Sequence, residues 1–285
     1  MFGTYVSGDM SVMSTLDKFS ISGRSALVTG ANSGIGLAIV EMLAEAGASV
    51  TLVGRDLKKV TREADRLADQ GYSVLACQAD VSDEDQVRKA FDRHAEAFNG
   101  LDIVFANAGI SGGRGYIDAT GARVPEGQID EADLQHWNNI MATDLGGVYY
   151  TLRHAARIMK AFKRKGSIIV TTSNASTITV PLVAAPYMAA KAGAAHLVRQ
   201  IARELAEFGI RVNAIAPGAF ITNIGGGKLS DPAVQEAWGE TIPLGRKVAT
   251  TEQIKPLALY LASDASDYVT GTEIVIDGGV SLDGF

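Results

Sequence analysis

Only one cysteine, Cys77, occurs in the 285 residues. No intrachain disulfide can form, so the fold must rest on its packed core, and a cytoplasmic setting is expected. Cys77 ends the apolar run Val74, Leu75, Ala76, which predicts a buried, inert thiol rather than a reactive one. There are four histidines, His94, His136, His154 and His196. They lie far apart and match no metal-ligand spacing, so each is expected on a helix surface or in packing, and no metal is expected. No block of five or six like charges occurs in a chain of net charge −6, which argues against a nucleic-acid or anionic-membrane partner. No apolar run reaches the 18 or more residues of a membrane span. The first residues lack the basic start and apolar stretch of a signal peptide.

What is present is an ordinary globular composition, 47% hydrophobic and 20% charged, long enough to bury roughly three quarters of its unfolded surface. After about 20 polar residues, expected to form a mobile extension, two patterns alternate. Short apolar runs rich in β-branched residues fall at 25–29, 49–53, 72–78, 102–107, 167–172, 211–216 and 273–276. Segments of helical period fall at 36–46, 83–98, 137–164, 187–208 and 252–262. Strands alternating with helices predict an α/β, Rossmann-type, doubly wound parallel sheet of about seven strands. Helices would cover both faces, with residues 21–285 forming one domain. Two glycine-rich stretches, 111–130 and 220–230, break the rhythm. Both follow strand ends, where open α/β sheets bind ligands, and are read as substrate loops. Arg114, Tyr116 and Arg123 in the first are candidate substrate contacts.

The first strand runs into Thr29-Gly30-Ala31-Asn32-Ser33-Gly34-Ile35-Gly36. Glycines at such a turn let a pyrophosphate approach a helix N-terminus, whose free N–H groups and dipole favour the anion. The second strand ends Val53-Gly54-Arg55-Asp56. An acidic residue at its tip would hold the ribose hydroxyls and repel a 2′-phosphate, whereas Arg55 pairs with one. Asp56 suits the N-cap of the next helix. NADP(H) is favoured, with NAD(H) the alternative.

Tyr187 and Lys191 lie four apart in a helix-forming stretch after Pro186, which puts them on one face. A phenol is ordinarily too weak an acid to serve as a base at neutral pH, and a nearby ammonium favours the phenolate. Such a tyrosine exchanges a proton with an alcohol or carbonyl oxygen. A hydroxyl on the upstream strand, near 167–173, suits the substrate oxygen.

Taken in order, the TGANSGIG turn, Asp80-Val81, Asn107-Ala108-Gly109, Ser173, Tyr187 with Lys191, Pro217-Gly218 with Thr222, and Asp277-Gly278-Gly279 resemble the short-chain dehydrogenase/reductase family. The resemblance covers residues 20–280 and is to the branch of roughly 250-residue subunits. It implies that Asp80 and Val81 contact adenine and that Asn107 supports the strand beside the cofactor. Tyr187 would be the acid/base. Lys191 would bind the nicotinamide ribose and favour the phenolate. Pro217, Gly218 and Thr222 would hold the carboxamide end of the nicotinamide. It also implies a homotetramer or dimer built on helices at 137–164 and 187–208.

Two departures stand out. The family's serine lies 13 residues before the tyrosine, where this chain has Asn174; Ser173 lies 14 before. Counting from the strand start selects Ser173, because sheet register resists a one-residue slip. The family's Asn-x-Asn-Leu is here Ala142-Thr143-Asp144-Leu145, and an aspartate keeps an acceptor but loses the NH2 donor. Either the proton relay tolerates Asp144, or its charge alters the balance at Lys191. The leading expectation is an NAD(P)-dependent oxidoreductase of a secondary alcohol or ketone, with a sugar or polyol among the small substrates. The alternative from another class is a dinucleotide-binding regulator with reduced catalysis. An epimerase or dehydratase fits the chain length and glycine pattern less well.

Overall fold

The computed structural model describes residues 14–118, 120–245 and 247–282. Most of the expected N-terminal extension, residues 1–13, lies outside the described residues. Residues Asp17–Phe19 form a short 3-10 turn, and the Phe19 ring packs 6.3 Å from that of Tyr260.

Seven strands form one sheet: β1 (Ser25–Thr29), β2 (Ser49–Gly54), β3 (Val74–Gln78), β4 (Ile103–Ala106), β5 (Gly166–Thr171), β6 (Ile210–Pro217) and β7 (Glu273–Ile276). Their spatial order is β3-β2-β1-β4-β5-β6-β7, and every pairing is parallel. Apolar side chains alternate between two cores. Leu27, Val104 and Ile168 face Phe91 of α3 (Glu84–Phe98), Leu152 of α5 (Gly147–Ala161) and Val198 of α6 (Ala185–Leu205). Val28, Phe105 and Ile169 face Leu43 of α1 (Gly34–Glu45), Leu67 of α2 (Leu57–Ala68) and Leu261 of α8 (Lys255–Ala262). This is the expected doubly wound architecture. The chain reverses its order between β1 and β4, opening a crevice at their carboxyl ends. Among the described residues, no helix is long and apolar enough to cross a membrane.

The helix expected over 137–164 is interrupted. α4 (Leu134–Ile140) passes through a π-helical segment, Met141–Gly146, before α5 begins. A π-bulge inserts extra backbone into a helix and re-aims the side chains on it. Asp144 lies on this bulge. α2 and α7 (Pro232–Gly239) were absent from the helical segments read by period.

Cys77 is fully buried, and burial pushes its thiol pKa up. His94 is also fully buried, its Nδ1 2.7 Å from the Thr51 hydroxyl. Burial drives its pKa from 6.5 down to about 4, with Asp102 and the Gly100 carbonyl only partly opposing. The unfolded chain therefore binds this proton more readily, and acidification from about 6.5 towards 4 favours unfolding. Urea unfolding at pH 7 and pH 5 should show the parent losing about 2 kcal/mol more than His94→Leu over that interval. Equal losses would show that His94 does not govern the acid response.

Candidate active site

A cleft of about 530 Å³ opens at the carboxyl ends of the central strands, lined from Gly30 and Gly36 at one end to Tyr187 and Leu229 at the other. Its floor is the β1–α1 turn. Gly30 and Gly34 have φ of +66° and +55°. A Cβ on Gly36 would collide with the Gly30 carbonyl, and one on Gly30 would lie 2.8 Å from the Ala108 Cα. Asp56, Asp83, Asp133 and Asp231 cap α2, α3, α4 and α7 through their side chains. Ser33, at the N-cap of α1, makes no such bond, so its first N–H groups stay available to an anion. Asn32, Ser33, Gly34 and Ile35 all line the cleft.

Beyond the end of β2, Gly54, Arg55 and Asp56 line the wall, and Asp56 accepts from the Lys59 N–H at 3.2 Å as the α2 cap. Lys59 also lines it, four residues beyond Arg55. The sequence reading missed Lys59, which stands in the first turn of α2 just after the Asp56 cap. Val81 lines the cleft; Asp80 does not, and its carboxylate accepts from the N–H (2.9 Å) and hydroxyl (2.7 Å) of Ser82.

Asn107 stitches the strand ends together. Its Nδ2 donates to the Thr29 carbonyl at 3.1 Å, its Oδ1 accepts from the Thr171 hydroxyl at 3.1 Å, and its N–H donates to the Thr29 hydroxyl at 3.0 Å. Ala108 and Gly109 follow along the same wall. Pro217 and Gly218 end β6, and Thr222 overhangs the start of α1, its methyl 3.2 Å from where a Gly34 Cβ would be.

At the far end, α6 presents Tyr187 and Lys191, with Lys191 Nζ 5.4 Å from the Tyr187 ring centre. Lys191 is 3% exposed and donates to the Thr171 carbonyl at 3.2 Å. Asp144 is fully buried beneath it. Its Oδ1 accepts from the Ile110 N–H at 2.9 Å, and its Oδ2 lies 3.3 Å from Lys191 Nζ without an aligned hydrogen bond. A Cβ on Gly109 would sit 2.8 Å from Oδ2, so only glycine leaves room for this pair. Burial alone would lower the Lys191 pKa; Tyr187 and Asp144 outweigh it and hold it above the ordinary lysine value. The ammonium is thus kept at working pH.

Ser173 lines the cleft with Tyr187, whereas Asn174 turns towards Asp277, its Nδ2 3.3 Å from the carboxylate. The loop 111–130 corrects one expectation. Arg114 pairs with Glu126 at 3.2 Å, and Arg123 lies over the Tyr116 ring at 5.6 Å. None of these three lines the cleft. The loop meets the site through Ser111 and its backbone instead. A Cβ on Gly112 would collide with that of Tyr187, and His136 Nε2 lies 2.7 Å from the Gly112 carbonyl.

An open doubly wound sheet with a glycine turn at its crevice is the architecture of a dinucleotide-binding domain. The family model for enoyl-(acyl carrier protein) reductase matches residues 30–281. The chain is 38% identical to sorbose reductase of Candida albicans, over 93% of this chain and 89% of that protein. It is 34% identical to a probable NADP-dependent mannitol dehydrogenase of Yarrowia lipolytica, over 93% of this chain and 90% of that one. A gluconate 5-dehydrogenase of Burkholderia cenocepacia, solved with NADP and tartrate, superposes with a TM-score of 0.83 at 32% identity, covering 94% and 99% of the chains. The chain belongs to the short-chain dehydrogenase/reductase family. It is an NAD(P)-dependent oxidoreductase acting on an alcohol/carbonyl pair.

Proposed function

We propose that this protein interconverts a sugar or polyol alcohol and its ketone with NADP(H), using Tyr187 to move the proton. The observation that carries this reading is the convergence, in one cleft, of Ser173, Tyr187 and the buried Lys191 with the uncapped start of α1. The glycines let the turn pack against Ala108 and the Gly30 carbonyl. That turn presents the uncapped start of α1 to the cleft, where a dinucleotide pyrophosphate fits. Gly30, Asn32, Ser33, Gly34, Ile35 and Gly36 hold the pyrophosphate. Arg55 and Lys59 meet the 2′-phosphate of NADP(H), and Val81 frames the adenine, with Asp80 fixing the turn beside it through Ser82. Asn107, Ala108 and Gly109 shape the wall beside the nicotinamide ribose. Pro217, Gly218 and Thr222 hold the carboxamide.

The nicotinamide supplies or accepts the hydride. Tyr187 donates its phenolic proton to the carbonyl oxygen in reduction and takes the alcohol proton in oxidation. The Ser173 hydroxyl holds that oxygen. Lys191 binds the ribose with its ammonium beside the Tyr187 ring, and Asp144 holds Lys191 in place. A hydroxylated substrate suits the polar mouth formed by Ser111, Thr222 and Asn223. The named activities of the relatives on sorbose, mannitol and gluconate point the same way. Two or more copies associating through α4, α5 and α6 would cover the exposed Leu134, Trp137 and Tyr149, which light scattering reads directly.

A panel of ketoses, polyols, keto acids and alicyclic ketones, followed at the nicotinamide absorbance with NADPH and NADH, tests the reading. Turnover is expected with ketoses or polyols, at a kcat/KM at least tenfold higher with NADP(H) than with NAD(H). Turnover confined to alicyclic ketones would overturn the substrate class, and tenfold preference for NADH the cofactor.

A further inference from the structure

We propose that Asp277, acting through Asn174, sets the position of Ser173, so that the turn after the last strand supplies a positioning residue for the reaction. The proposal rests on the reading of Ser173 as the hydroxyl that holds the substrate oxygen.

Ser173 leaves β5 in extended backbone, φ −166° and ψ 155°, with its hydroxyl accepting from the Ala175 N–H at 3.2 Å. The extra residue between strand and tyrosine must be absorbed here, and nothing in a free loop would choose Ser173 over Asn174 for the cleft. The side chains on either side of Ser173 make that choice. Thr172 donates to Glu273 Oε1 at 2.6 Å, and Ser176 donates to the same oxygen at 2.8 Å. Between them, Asn174 Nδ2 donates to Asp277 Oδ2 at 3.3 Å, while its Oδ1 faces the Ser173 hydroxyl at 3.5 Å. Residues 172, 174 and 176 are thus tied to two carboxylates at the start and just beyond the end of β7. Ser173 is left facing the cleft.

Asp277 is itself fixed. Its Oδ1 accepts from the Gly279 N–H at 2.9 Å, and its Oδ2 accepts from the N–H (2.8 Å) and hydroxyl of Ser281. Burial pushes its pKa up, but these donors and Asn174 outweigh it and hold the carboxyl below the usual range. Both oxygens accept, Oδ1 from one donor and Oδ2 from three, so an amide, which carries one acceptor oxygen, is not equivalent at 277. The turn also touches the cofactor side of the cleft. Gly218 donates to the Ile276 carbonyl at 3.0 Å, and a Cβ on Gly218 would lie 2.5 Å from the Asp277 Cβ. One rigid turn therefore registers the serine segment against the end of β6.

The test uses the full chain and three variants beside Ser173→Ala. Asn174→Leu removes both polar contacts at similar volume. Asp277→Asn turns its NH2 against a donor whichever way the amide faces, either the Gly279 N–H or Asn174 Nδ2 with Ser281. The double variant Asn174→Asp/Asp277→Asn exchanges donor and acceptor across the same contact. Displacing a reacting hydroxyl by about 1 Å costs on the order of 10²-fold. Each single variant should therefore lose about that much kcat, with the NADPH Kd, read by nucleotide fluorescence, nearly unchanged. The double variant should recover on the order of tenfold over the worse single, the size of a direct coupling. Where a single variant fails to fold, the double decides: regained activity supports the coupling, and a folded but inactive double overturns it. Singles with parental kcat beside an inactive Ser173→Ala would overturn the coupling while leaving the site reading intact. A fully active Ser173→Ala would overturn the site reading and the coupling with it.

Discussion

Replacing Tyr187 with phenylalanine is expected to lower kcat by about 10²–10⁴-fold, the span of a single positioned proton donor, while NADPH still binds with near-parental affinity. The two halves of that expectation come from different parts of the cleft. The pyrophosphate cradle is backbone, formed by Gly30, Gly34 and the uncapped start of α1, and Tyr187 touches none of it. The phenol ring packs against Gly112, with Lys191 Nζ 5.4 Å from its centre. Phenylalanine keeps the ring that supports the loop and removes only the hydroxyl. A fall in kcat with intact NADPH binding assigns the proton to Tyr187 and removes the regulator alternative. Retention of more than roughly a tenth of parental kcat would move the proton to another group.

The fold was legible because its signals are local and repeated. Each of the seven strands was found from its own β-branched run, and their parallel order follows from helices lying between them. α2 escaped the periodic reading although Asp56 announced it: its polar sequence, LKKVTREADRLA, buries only Val60, Glu63, Ala64 and Leu67. The π segment at Met141–Gly146 escaped because helical period is the same on both sides of a bulge, and one inserted residue leaves no compositional mark. At the site, residues that backbone geometry brings to the cleft were legible from motif order. Those whose role depends on a distant partner were not. The Asp277–Asn174 contact joins residues 103 apart, and His136 reaches Gly112 from 24 away. Arg114 and Arg123 show the converse. Their charge invited a substrate role, and the loop consumed it through Glu126 and Tyr116.

Asp144 is where the sequence departure and the structural interruption coincide, and its two conservative variants should separate charge from packing. Asp144→Leu leaves the buried Lys191 ammonium without a counter-ion and the Ile110 N–H without an acceptor. Removing one partner of a buried pair costs about 3–5 kcal/mol. With the carboxylate gone, burial dominates at Lys191 and lowers its pKa. The penalty at neutral pH is then that of keeping the proton on, and it shrinks as pH rises towards the unfolded lysine value. Chemical unfolding of parent and variant at pH 7 and pH 10 should show the gap closing; a gap independent of pH would assign the loss to packing alone. Asp144→Asn keeps the shape and an acceptor for Ile110 but removes the negative charge. The Lys191 ammonium then loses the same counter-charge as in Asp144→Leu, and burial opposes it there too. The pH–rate profile of alcohol oxidation should therefore depart from the parental one. Superimposable pH–rate profiles would mean that Asp144 serves Lys191 by shape and the Ile110 contact, with its charge irrelevant to the chemistry.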